Sequence, residues 1–256
     1  MLIHPMLDKL RELNFKGMLR ALEEQLQQTT IETLGFEERL ALLLDRELTE
    51  RENRRLSARL KQATLKQSAC IEDIDFKHVR GLDRHLILSL ASCNWVKGNQ
   101  NILLVGPSGV GKTYLACALA HKACLEGYST KYFRLPRLLQ ELTLAKGDGR
   151  YLKLIGQLAK MDVLILDDWG IALLTEEQRR DLLEIFDDRH NLRSTIITSQ
   201  LPVVHWHEYI ADPTLADAIL DRLVHNAHKI ELKGESMRKK KALLDKENIL
   251  TNKKDK

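Results

Sequence analysis

With 256 residues, 44% of them hydrophobic, the chain has enough apolar material for one large domain or a large domain with a small companion. Its apolar runs, such as Asn101 to Val105 and Val163 to Leu166, are strand-sized and exclude a membrane-spanning helix of roughly 20 residues; Asp8 and Lys9 near the start break the pattern of a secretion signal, so a cytoplasmic protein is expected. The formal charge of +4 is too small to dictate a partner, and the four cysteines, far apart and without a CxxC pair, argue against zinc or redox chemistry and for free buried thiols.

The first stretch has helical periodicity throughout. Leu7, Leu10 and Leu13, then Met18, Leu19, Leu22 and Leu26, then Phe36, Leu40, Leu43 and Leu44 recur at three-and-four spacing, with Gly17 and Gly35 as punctuation. Thr49 and Glu52 have the spacing of a capping box that opens a further helix, which carries Arg51, Arg55 and Arg59 on one face. Those arginines can grip a phosphate backbone; with Glu47, Glu50 and Glu52 among them they can equally form a salt-bridged, solvated face. Periodicity fades between Lys61 and Val79, which places a domain boundary near residue 70.

From Asn101 the pattern becomes short apolar strands alternating with amphipathic helices, the signature of an α/β fold around a mostly parallel sheet. Strands are predicted at Asn101 to Val105, Thr130 to Phe133, Val163 to Leu166, Ser194 to Thr198 and Lys229 to Leu232. Helices are predicted at Lys112 to Glu126, closed by Gly127, and at Glu176 to His190, opened by Thr175 with Gln178 three residues on. His205, Trp206, His207 and Tyr209 lack a partner at metal-ligand spacing and fit a packed helix start; Trp95 and Trp169 fit packing as well. The end is basic: Arg238 to Lys256 holds eight Lys or Arg against three Asp or Glu, a composition suited to nucleic acid or to a solvated terminus.

Gly106, Pro107, Ser108, Gly109, Val110, Gly111, Lys112 and Thr113 fit G-x-x-x-x-G-K-[ST] in full, after a predicted strand and before a predicted helix. Such a loop curls its N–H groups onto phosphates while the helix start adds its positive dipole end. Lys112 is expected to reach the β- and γ-phosphates of ATP, and Thr113 to offer its hydroxyl to Mg²⁺. The run Val163 to Leu166 ends in Asp167 and Asp168, the form of the companion metal motif. Asp167 is the expected Mg²⁺ carboxylate, and Asp168 is placed to orient the attacking water.

With both motifs in place the chain resembles the AAA+ ATPases, within the clade that includes helicase loaders of the DnaC type. Phe36 to Glu47, the arginine-rich stretch after it, Ile71 to Phe76 and Gly234 to Arg238 look like the IstB-like helper ATPases of insertion-sequence transposons, over nearly the whole chain. The resemblance implies a small all-α N-terminal domain at residues 1–70 that binds DNA or a partner, an AAA+ ATPase domain at 71–238 and a basic tail at 239–256. It implies a homo-oligomer on DNA, expected to be double-stranded, with ATP sites between subunits and a partner transposase; a DnaC-like loader of a replicative helicase is the competing reading. By position, Arg222 resembles the arginine finger and Arg238 the second sensor arginine. Thr198 and Ser199 stand where many relatives have the polar first sensor, and Ser199 is taken for that role. Many relatives have glutamate where this chain has Asp168, which puts the hydrolysis rate in question.

Overall fold

The computed structural model describes residues 4–28, 31, 33–78 and 80–237. Two compact units divide the chain, residues 1–58 and 59–256. Among the described residues no helix is long and apolar enough to cross a membrane.

The first unit is helical: α1 (His4–Glu12), α2 (Lys16–Gln27) and most of α3 (Phe36–Ala63). Gly17 is not a break but lies in the first turn of α2, where a Cβ would come within 2.6 Å of the Glu47 Cα and the Arg46 carbonyl oxygen. Only a residue without a side chain lets the two backbones approach so closely. That approach delivers Glu47, a nearly fully buried carboxylate, to the start of α2, where it accepts the N–H groups of Gly17 at 2.7 Å and Met18 at 3.2 Å. Phe15, at the N-cap, has no side chain able to do this, so a residue thirty positions away does the capping. Burial alone would raise the Glu47 pKa, but the bond from Arg51 at 2.7 Å and the two backbone donors hold it below the usual glutamate value.

Thr49 does not open a new helix. Its hydroxyl donates back to the Asp45 carbonyl at 2.9 Å, and α3 runs uninterrupted through 28 residues because nothing between Phe36 and Ala63 breaks it. The three arginines do not form a free row. Arg51 is held by Glu47 and lies 5.0 Å from the Phe15 ring centre, Arg59 donates to the Cys124 carbonyl at 2.9 Å, and Arg55 is exposed.

The second unit is a five-stranded parallel sheet in the order β2-β3-β4-β1-β5: β1 (Asn101–Val105), β2 (Thr130–Arg134), β3 (Val163–Trp169), β4 (Ser194–Ser199) and β5 (Ala227–Glu231). Each inner strand is covered on both faces, as its unbroken apolar run demands. Ile102 and Leu104 pack with α4 (Arg84–Ala91), α5 (Asn94–Lys97) and α6 (Lys112–Leu125), whereas Leu103 and Val105 turn to the opposite layer. That layer holds α7 (Leu135–Gly147), α8 (Tyr151–Lys160), α9 (Glu176–Arg189), α10 (Trp206–Ile210) and α11 (Pro213–Val224). The expected capping box at Thr175 and Gln178 opens α9. Trp206 and Trp169 are fully buried with ring centres 5.2 Å apart, and Trp95 is buried with its indole N–H on the Leu90 carbonyl. Ala69, Ile71 and Ile74 are also in this core, so the segment after α3 packs as part of the sheet unit. All four cysteines are free, with burial raising the thiol pKa of Cys93, Cys117 and Cys124.

Glu47→Gln removes the charge from a bond set that caps α2, at an expected cost of about 2 kcal/mol. All three tryptophans lie beyond residue 58. Far-UV circular dichroism should therefore show an earlier loss of helix on heating while the tryptophan fluorescence transition stays in place; coincident shifts of both would show that Glu47 supports the whole molecule instead.

Candidate active site

The phosphate loop leaves the C-terminal end of β1 and enters α6 through Gly111, which has φ of 102°. Gly106 has φ of 147°, and a Cβ there would lie 2.2 Å from the Leu232 carbonyl oxygen just past β5. Both conformations belong to glycine, and they let the loop backbone curl into a cradle that side chains would fill. Lys112 folds across this loop, its ammonium donating to the carbonyls of Gly106 and Pro107 at 2.7 Å each. Pro107, Ser108, Gly109 and Val110 complete the turn; Val110 is buried beneath it, and its carbonyl accepts the Arg80 guanidinium at 3.0 Å. The segment after β5 closes on the loop, with the Met237 N–H on the Gly109 carbonyl at 2.9 Å. Arg238, the next residue, and the basic tail lie outside the described residues.

Insertion of β4 between β1 and β3 sets the other half of the site. Asp167, at the end of β3, is fully buried and accepts four side-chain donors. The Thr113 hydroxyl reaches Oδ1 at 2.9 Å, joined there by the Thr198 hydroxyl; the Tyr132 phenol reaches Oδ2 at 2.5 Å and the Lys66 ammonium reaches it at 3.1 Å. Burial would raise the Asp167 pKa, but the donors, Thr198 and Tyr132 foremost, hold it below the ordinary aspartate value. Burial and Asp167 itself push the Tyr132 phenol far up, so it remains a donor.

Asp168 lies in a bulge, where the β3–β4 register shifts between Leu166 and Trp169, and has φ of 68°. Its carboxylate accepts the Arg134 guanidinium at 2.6 Å and its N–H donates to the Thr198 hydroxyl at 3.3 Å. Both Thr198 and Ser199 line the site, and their hydroxyls have different partners. Adjacent residues on a strand face opposite ways, and the Ser199 hydroxyl is consumed by the Trp169 carbonyl at 2.9 Å and the Leu201 N–H at 3.0 Å. Thr198 is the β4 hydroxyl in contact with the site carboxylate.

These groups line a cleft of about 600 Å³, a size suited to a small-molecule ligand such as a nucleotide, whose other wall includes Asp73, Asp75, His78 and Tyr114. Thr113 and Asp167 offer hard oxygens side by side, the donor set Mg²⁺ takes when most of its shell is water and phosphate. Among the described residues no group of three His, Cys, Asp or Glu forms a metal cage, and such an ion needs none. Arg222 is elsewhere. It lies in the last turn of α11, paired with Asp187 of α9 at 2.7 Å and bonded to the Ala218 carbonyl at 2.8 Å. Sequence reasoning did not find Lys66, Tyr132, Arg80 or Arg134, because each meets the motif residues only through the fold.

The sequence signature described as IstB-like ATP binding protein matches residues 8–244. An insertion-sequence ATP-binding protein of Sinorhizobium fredii is 53% identical over 239 residues, 93% of this chain and 98% of that one. The ATP-binding protein of insertion sequence IS1162 from Pseudomonas fluorescens is 56% identical over 77% of this chain and 85% of its own length. Among solved structures, the DnaC helicase loader superposes with a TM-score of 0.55 at 24% identity, covering 64% of this chain and 97% of the loader. AMPPCP-bound DnaA from Aquifex aeolicus gives 0.54 at 20% identity over 68% of this chain and 53% of its own. At such identities these two structures speak for the fold alone.

Lys112→Ala should weaken binding of a fluorescent ATP analogue by about 100-fold or more, since it removes the one charge built into the loop; wild-type affinity would remove the loop from the phosphate role. Thr198→Val should lower the hydrolysis rate about tenfold or more, whereas Ser199→Ala should chiefly cost stability, about 1–2 kcal/mol. The reverse pattern in steady-state phosphate release and thermal melting would favour Ser199 as the first sensor.

Proposed function

The chain belongs to the IstB-like ATP-binding proteins, an AAA+ ATPase family of insertion sequences, and on that premise we propose that it is an ATP-dependent DNA-binding helper for transposition. In this reading it assembles as an oligomer on double-stranded DNA and acts with a partner transposase. The observation that carries the reading is the meeting of the phosphate loop with the Thr113–Asp167 pair in a chain that aligns over 93% of its length with an insertion-sequence ATP-binding protein. DNA as substrate and ATP as fuel put the work in the cytoplasm.

The loop from Gly106 to Thr113 binds the phosphates with its N–H groups, and Lys112 exchanges the Gly106 and Pro107 carbonyls for β- and γ-oxygens. Thr113 and Asp167 would hold Mg²⁺, which would supply positive charge to the bound phosphates. Asp168 orients the attacking water once its ion pair with Arg134 opens. Thr198 ties the two carboxylate residues together, accepting from the Asp168 backbone while bonded to Asp167. Arg238, which resembles the second sensor arginine, is assigned the contact to the γ-phosphate from its own chain in this reading.

Arg222 serves the site of the neighbouring subunit, exchanging Asp187 for γ-phosphate charge when subunits meet. Nucleotide state and assembly are then linked, because ATP favours the oligomer by its differential affinity. For DNA, the exposed Arg55 on α3 and the basic residues beyond Arg238 remain the phosphate-contact candidates, while Arg51 and Arg59 serve structure first.

Binding to labelled duplex and single-stranded DNA, with and without ATP and over a range of salt, tests the reading together with assembly size by light scattering. Duplex preference with ATP-dependent assembly is expected. Preference for single strands without large assemblies would favour a helicase loader, and no DNA binding would sink the proposal. Arg222→Ala should leave ATP affinity unchanged and abolish assembly-dependent hydrolysis; unchanged hydrolysis would remove Arg222 from the finger role.

A further inference from the structure

Of the four donors on Asp167, three are neutral: the hydroxyls of Thr113 and Thr198 and the phenol of Tyr132. The fourth is the Lys66 ammonium, 3.1 Å from Oδ2 and the only cation in contact with this carboxylate among the described residues. The side chain of Asp167 is 1% exposed and that of Lys66 40% exposed. A buried carboxylate needs a charge partner, and this partner has one side open to water. Leu65, just before Lys66, packs against the core cluster that contains Cys117 of α6, and Ala69, shortly after it, is buried within that cluster. That packing fixes the root of a long, flexible side chain whose ammonium end is half-open to water.

We propose that Lys66 is a built-in competitor of the divalent cation, a positioning residue that neutralises Asp167 before metal arrives and must leave when metal and nucleotide load. The inference rests on the reading of this cleft as a metal–ATP site. Two cations on one carboxylate repel each other, so to the extent that metal displaces Lys66 the free energy of the Lys66–Asp167 pair is subtracted from metal affinity. The site therefore loads only above a metal concentration that Lys66 sets, and metal-free protein keeps its buried carboxylate compensated.

Lys66→Met tests this without touching the phosphate loop. Binding of a fluorescent ATP analogue is measured while Mg²⁺ is titrated, beginning in EDTA. In the variant the half-saturating Mg²⁺ concentration should fall fivefold to tenfold, the affinity at saturating Mg²⁺ should be at least that of wild type, and Lys66→Arg should behave as wild type. The metal-free variant should also melt at lower temperature than metal-free wild type, with the gap closing when Mg²⁺ and ATP are added. An unchanged or raised Mg²⁺ requirement, or weaker binding at saturating Mg²⁺, would overturn the proposal and make Lys66 a bystander or a phosphate ligand. Wild-type binding that ignores both Mg²⁺ and Lys112→Ala would instead fail the site reading itself, and the proposal with it.

Discussion

The site is organised around the burial of one negative charge. Asp167 is taken wholly out of water at the end of a central strand, which would be costly if its oxygens were left bare. The chain answers with donors from four different places: the connector after α3, the start of α6, and strands β2 and β4. Each donor is useful only if its own element is in register, so the carboxylate ties the sheet order, the loop and the connector to one point. The same ties prepare it for a cation, because a carboxylate already oriented and kept ionised needs little rearrangement to hold one.

Sheet order decides which side chains can take part. Because β4 lies between β1 and β3, a strand far along the chain brings its hydroxyl between the phosphate loop and the two aspartates. Because the sheet is covered on both faces, the polar groups it carries gather at the C-terminal edge, where open α/β sheets hold their ligands. The helical unit solves a similar problem on a smaller scale. Glu47 is buried to satisfy the bare N–H groups at the start of α2, and the missing side chain at Gly17 is what lets it arrive.

What could be read in the sequence follows from what is local. The strands, the capping box at Thr175 and the phosphate loop with its aspartates depend on neighbours within a few residues, so periodicity and spacing exposed them. Thr49 had the right neighbours for a cap but stood inside an unbroken helix, where its hydroxyl found the preceding turn instead. Which of Thr198 and Ser199 meets the Asp167 carboxylate depends on the face of β4, a fact of sheet geometry that two adjacent hydroxyls in a sequence do not carry. The separation of 101 residues between Lys66 and Asp167 left no local signal at all. Arg51 and Arg59 of α3 showed the same limit, since their partners Glu47 and the Cys124 carbonyl were visible only after folding.

The bulge at Asp168 limits which residue can stand there. In that left-handed backbone conformation asparagine and aspartate are the tolerated side-chain-bearing residues, because their short polar groups can bond locally, while most others incur about 1–2 kcal/mol. A glutamate in place of Asp168 would therefore not be a simple exchange in this chain. The β3–β4 register shift sets the backbone conformation that residue 168 must adopt, so the choice of acid and the shape of the strand beneath it are coupled.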